Sequence, residues 1–145
     1  FMGEVAGSDK RFSFAVPVRA GPRRTLCVFE SAIDALSYLT LLKQGGRDWR
    51  TANTLSLSGV YGPNRRDHDK MPRALGQYLE RNPIRRIILC LDSDDAGRMA
   101  AQSLQRLLTG YLVLDNPPQG AKDYNDLLLR RQNGERKTRW LYRTY

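Results

Sequence analysis

Glu30 and the run Asp92-Ser93-Asp94 are the residues of this chain whose types and spacing invite chemistry. Each follows a short, continuous apolar stretch, Leu26-Cys27-Val28-Phe29 before Glu30 and Ile87-Ile88-Leu89-Cys90-Leu91 before Asp92. Runs of that length without polar interruption suit strands buried on both faces of a parallel sheet. In such sheets ligands gather beyond the carboxyl ends of the strands. If the two strands are neighbours, three carboxylates converge within reach of one cation. Clustered like charges are unfavourable unless a cation compensates them, and hard oxygen donors at a phosphate site favour Mg²⁺. Gly97 then lets the chain turn tightly into the next helix.

Ordinary structural roles compete for the neighbouring polar residues. An Asp just after a strand often caps a helix, and Asp95 is expected to do so. Asp34 ends Ser31-Ala32-Ile33-Asp34, which has the form of a capping box, so a cap and a site role are both open to it. Glu30 has no such alternative, because it falls between the apolar strand and Ser31, the expected cap. His68 lies in the polar loop Arg66-Asp67-His68-Asp69 and reads as solvated, while Tyr142 and Tyr145 read as anchors of a tail. Cys27 and Cys90, the only two cysteines, sit inside apolar runs and suit reduced core residues better than a disulfide or a zinc site.

Positioning the acids requires an alternation of strand and helix, and the sequence supplies one. Residues 11–18 alternate in strand fashion, with Pro17 restricting them to a sheet edge. A strand over 26–29 leads into a helix over 31–43, stopped by Gly45-Gly46. A strand over 54–57 and a polar loop lead to a helix over 72–81. The apolar run 87–91 precedes a helix through Met99, Leu104 and Leu108, ended by Gly110. A strand over 111–114, a loop at Asn116-Pro117-Pro118 and a helix opening at Asp126 complete the series. The expected architecture is an α/β domain with a mainly parallel sheet flanked by helices, right-handed crossovers and an N-terminal edge strand.

Composition agrees with that architecture. At 145 residues and 41% hydrophobic, the chain is one domain's worth and able to bury a core without staples. No apolar run approaches the roughly 20 residues of a membrane helix, and no secretory signal opens the chain, so a cytoplasmic protein without membrane partners is expected. Its opening on Phe1 suggests a piece of something longer. The net charge of +9 is uneven: residues 87–129 carry −3, against +4 for 61–86 and +5 for 130–145. Basic flanks of this kind favour polyanionic partners. An acidic stretch between them adds the opposite sign, and a site for metal and phosphates needs both.

The ordered set Glu30, Asp92-Ser93-Asp94-Asp95-Ala96-Gly97 and Lys122-Asp123-Tyr124-Asn125-Asp126 resembles the Toprim domain, shared by primases, topoisomerases, OLD-family nucleases and RecR-like repair proteins. The resemblance covers about residues 25–130, leaving 1–24 as an extension with the edge strand and 131–145 as a basic tail. Residues 29–36 and the Lys122-Asp123-Tyr124-Asn125 segment look like primases of phages, and Gly7-Ser8-Asp9-Lys10-Arg11 looks like the entry to modules from plasmids and transposons. The resemblance implies a Rossmann-like fold, Mg²⁺ or Mn²⁺ held by Asp92, Asp94 and Asp123, and Glu30 completing the shell or acting as general acid/base. Asn125 stands where cellular primases often carry a second Asp, with Asp126 as a stand-in. Supporting roles fall to Asp34, Gly97, Lys122, Asn125 and Asp126. Arg65, Arg66, Lys70, Arg130 and Arg131 are expected to touch nucleic acid.

Three functions follow from the resemblance. The first is the catalytic part of a mobile-element or phage DNA primase, acting on nucleotides with a single-stranded DNA or primer-template and with other domains of a longer polypeptide. The others are a metal-dependent nuclease of the OLD type and a non-catalytic nucleic-acid-binding module.

Overall fold

The computed structural model describes residues 13–21, 24–58 and 70–133. In chain order the elements are β1 (Ala15–Val16), β2 (Thr25–Phe29), α1 (Ala32–Gln44), a short 3-10 helix (Trp49–Thr51), β3 (Asn53–Ser56), α2 (Arg73–Arg81), β4 (Arg86–Leu89), α3 (Asp95–Leu107), β5 (Leu112–Asp115) and α4 (Tyr124–Gln132). The strands form one five-stranded sheet in the order β1-β3-β2-β4-β5. Only β1 runs antiparallel; β3, β2, β4 and β5 pair in parallel. The chain steps outward from β2 to β3 and then returns past β2 to β4. The gap between the carboxyl ends of β2 and β4 is therefore the switch point of the sheet.

Helices cover both faces. On one side Leu26, Val28, Ile87 and Leu89 meet Leu75 of α2 and Ala100, Ala101 and Leu104 of α3. On the other, Cys27, Phe29, Ile88 and Cys90 meet Ala35, Tyr38 and Leu39 of α1 and Tyr124 and Leu127 of α4. This explains the unbroken apolar runs in β2 and β4, since successive side chains enter opposite cores. Tyr124 meets Phe29 and Tyr38 edge-on, and those two pack tilted at 50°, all with ring centroids 5.2 to 5.7 Å apart, holding α1 and α4 on the sheet. Both cysteines are free and buried, as the sequence suggested. Burial pushes the Cys90 thiol well up.

Several expected boundaries move. Of the edge strand expected over 11–18, the described residues pair only at Ala15–Val16; Pro17 has no N–H for the ladder, and residues 11 and 12 lie outside the description. The last helix opens at Tyr124 rather than Asp126, because Asp123 caps it. The helix through Met99 opens at Asp95, capped by Asp94, so Asp95 is its first helical residue and not the cap. Gly45 and Gly46 do end α1, Gly46 with φ +74°.

Core and surface positions of one helix give a direct test. Leu104→Ala empties a fully buried site and is expected to cost about 2–5 kcal/mol in urea denaturation. Met99→Ala, five residues earlier and 52% exposed, should stay within about 0.5 kcal/mol of the parent.

Candidate functional site

Parallel pairing puts Cys27 beside Ile88 and Val28 beside Leu89, so the two acid-bearing strand ends emerge side by side. The Asp92 N–H donates to Glu30 Oε1 across the switch point at 3.2 Å. Asp94 follows as the cap of α3, its Oδ1 accepting from the Gly97 N–H at 2.9 Å. Asp123 does the same for α4, its Oδ1 accepting from the Asp126 N–H at 2.7 Å. Asp94 and Asp123 thus each commit one oxygen to a helix start, which satisfies an otherwise orphaned N–H.

Asp34 is both the partner of the Ser31 cap and a bridge. Its N–H donates to Ser31 Oγ, completing the capping interaction, and the Ser31 hydroxyl returns a short hydrogen bond to Asp34 Oδ2. Asp34 Oδ1 accepts from the Asn125 N–H at 3.1 Å, joining the starts of α1 and α4. The Ser37 hydroxyl adds a second link to Asn125 Oδ1 at 3.4 Å. Asp126 is engaged by Arg130 at 3.0 Å and by the Lys122 N–H at 3.1 Å. Lys122 reaches toward the acids, with Nζ 3.9 Å from Asp94 Oδ2.

Gly97 serves close approach rather than the turn expected of it, since it lies inside α3. A Cβ there would stand 2.3 Å from the Asp92 carbonyl oxygen and 2.9 Å from Glu30 Oε1. Gly97→Ala gains about 1 kcal/mol of helix propensity, but a clash with backbone cannot be relieved by rotating a side chain. A net loss of about 1–3 kcal/mol in urea denaturation is expected.

Two interactions that sequence reasoning missed fix the acid-bearing loop. Arg98 donates from Nε to the Asp92 carbonyl and from Nη2 to the Leu91 carbonyl, both at 3.0 Å, and pairs with Asp115 at the end of β5. The Ser93 N–H donates to the Lys122 carbonyl at 2.7 Å and its hydroxyl to the Pro118 carbonyl at 2.9 Å. The only hint in the sequence is position: Ser93 sits between the two aspartates and Arg98 next to Gly97. Arg65 and Arg66 lie outside the described residues, as do His68, Tyr142 and Tyr145. Lys70 and Arg131 are described, Arg131 with a buried Nη1.

The electrostatics follow from burial and crowding. Burial, then Asp92, raises the Glu30 carboxyl to about 7, while the Asp92 N–H bond pulls the other way. Burial, then Asp34, Asp123 and Asp94, raises Asp92 to about 6, with Lys122 opposing. The Asp92 carboxylate accepts no hydrogen bond among the described residues. Nor do three His, Cys, Asp or Glu side chains among them stand grouped tightly enough to hold a metal ion. What is assembled is a crowded set of oxygen donors with little cationic compensation.

The raised Glu30 carboxyl has a signed consequence. Between its ordinary 4.5 and about 7 the folded protein keeps a proton that the unfolded chain has lost, so stability falls as pH rises through that window. Glu30→Gln removes this dependence and still accepts from the Asp92 N–H. Its advantage in melting temperature over the parent should be largest at about pH 8 and vanish near pH 4.5; an advantage that ignores pH would contradict the assignment.

Comparisons with known proteins bear on the fold and the family. The chain is similar to the uncharacterized protein MG010 homolog of Mycoplasma pneumoniae, 28% identical over an alignment 141 residues long that covers 89% of this chain and 61% of that protein. Its fold is similar to the crystal structure of the primase fragment of the bacteriophage T7 primase-helicase protein, with a TM-score of 0.50 and 23% identity over 77% of this chain and 41% of that one. The chain thus spans about three-fifths of the curated relative and two-fifths of the solved fragment. The family of Toprim-like domains matches residues 27–128, from inside β2 to the middle of α4, and so takes in Glu30, Asp92, Asp94 and Asp123 together: the chain belongs to the Toprim-like family.

Proposed function

We propose that the acid edge binds a divalent hard cation, Mg²⁺ or Mn²⁺, and serves phosphoryl transfer on nucleic acid as the Toprim part of a DNA primase of phage or mobile-element type. The observation that carries this reading is Asp92, a half-buried carboxylate raised to about 6, lacking any donor among the described residues and standing at the switch point. A group so placed is unfavourable alone and is relieved by a cation. The donor chemistry fits, since the acids offer only hard oxygens. Mg²⁺ is commonly held by one or two carboxylates, with water and substrate phosphates closing the shell, so a complete protein cage is not required.

On this reading Asp92 and Asp94 hold the ion, with Asp123 beside them. Such an ion would supply charge neutralisation to a transferring phosphate. Glu30, raised to about 7, is matched to accepting and returning a proton near neutral pH. Lys122, exposed beside Asp94, offers a cation to a substrate phosphate. Asp34 and Asn125 hold the helix starts that carry these groups. Nucleotides, a single-stranded DNA or primer-template and further domains of a longer polypeptide are the implied partners. One observation favours a non-catalytic binding module instead: helix capping alone accounts for one oxygen each of Asp94 and Asp123.

Thermal melts separate these readings. Metal in hundredfold excess over Kd should stabilise the parent by about 2.7 kcal/mol. Asp92→Asn should lose most of that response, yet melt as high as the parent or higher without metal. In the full-length protein the same substitution should abolish primer synthesis. Robust Mn²⁺-dependent DNA cleavage by the chain itself would point to a nuclease, and no metal response in the parent to a binding module.

A further inference from the structure

The edge of the sheet opposite the acids carries the reverse charge. Of the ten acidic residues described, eight lie at the carboxyl edge or in the helix starts beside it: Glu30, Asp34, Asp92, Asp94, Asp95, Asp115, Asp123 and Asp126. The other two, Asp48 just before Trp49 and Glu80 in the last turn of α2, lie toward the amino edge, and Asp48 is already paired with Arg50 at 2.8 Å. At the amino edge the chain instead places Arg24 before β2 and Arg85 and Arg86 at the start of β4. Their backbones are directly joined, the Arg85 and Arg86 N–H groups both donating to the Arg24 carbonyl, at 2.8 and 3.0 Å. Arg106 ends α3 at this same edge, and Arg19 is bonded to the Arg50 carbonyl nearby. Arg19, Arg24, Arg85 and Arg106 are exposed. None of these four, nor Arg86, has an acidic side chain within ion-pair distance among the described residues.

Helix electrostatics explain only part of this pattern. A base in the last turn offsets the helix macrodipole, which accounts for Lys43, Arg81 and Arg106. Strands have no comparable dipole, so Arg24, Arg85 and Arg86 have no such role. Like charges on neighbouring strands are mildly destabilising. An external polyanion removes that repulsion.

We propose that the amino edge is a second, phosphate-binding surface that holds the backbone of a single-stranded nucleic acid. Arginine's planar fork matches phosphate and stacks on bases, and Trp49 and Tyr111 lie at this edge as well, each partly buried against one of the two cores. Strands of four or five residues separate this surface from the carboxylates by about 15 Å. The strand held here is therefore a different stretch from the one reacting at the acid edge. The inference does not depend on chemistry at that edge.

The test is fluorescence anisotropy of a labelled oligothymidylate with the full chain across a salt series. Arg24→Gln/Arg85→Gln/Arg86→Gln should weaken binding at low salt at least tenfold. The slope of log K against log salt should become shallower by about 2, from roughly 0.7 per lost single-strand phosphate contact. The parental slope should be the same when EDTA replaces any divalent metal, which separates this proposal from the metal reading. Because the triple variant removes repulsion, it should melt no lower than the parent; if it fails to fold, Arg24→Gln and Arg85→Gln singly should each lower the slope by roughly 0.7. A parental slope in these variants overturns the proposal, as does loss of binding to phosphatidylserine vesicles while oligonucleotide binding persists.

Discussion

Everything at the acid edge depends on one contact, the Asp92 N–H held by Glu30 across the ends of β2 and β4. It draws two carboxyl groups together that would otherwise repel. Three features hold the arrangement against that repulsion. The β2/β4 ladder fixes the register of the strand ends, Gly97 leaves room where any side chain would strike the Asp92 carbonyl, and Arg98 grips the carbonyls of residues 91 and 92. Each is backbone-directed. The geometry therefore does not rest on the protonation state of the acids themselves.

The loops bearing Asp92 and Asp123 are also not independent. Ser93 ties one to the other through Lys122 and Pro118, and Asp34 ties α4 to the start of α1. Three elements from distant parts of the chain thus share one polar frame above the aromatic trio of Phe29, Tyr38 and Tyr124. Asp94 and Asp123 each spend one oxygen on a helix start and leave the other uncommitted to that cap.

Much of this was legible in the sequence because burial on both faces leaves a simple trace. The runs before Glu30 and Asp92 are apolar without alternation, and only a doubly covered parallel strand needs that. Their acids mark the carboxyl edge because a charge ends such a run. The caps were less legible. Asp94 and Asp95 are chemically alike, and which one caps depends on where α3 begins; it begins at Asp95, and Asp94 accepts from the Gly97 N–H. Arg98 and Ser93 escaped notice because their partners are main-chain carbonyls, which have no residue type to read. The short β1 shows the same limit: Pro17 predicts an edge but not how few residues will pair.

The two sulfur atoms beneath the sheet have a practical meaning of their own. Cys27 lies on β2 and Cys90 immediately after β4, 4% and 1% exposed, and burial holds the Cys90 thiol in its unreactive protonated form. An alkylating reagent can reach them only when β2 and β4 part from the helices above. The rate at which these thiols are modified is then a built-in clock for opening of the central sheet, blind to fraying at the termini.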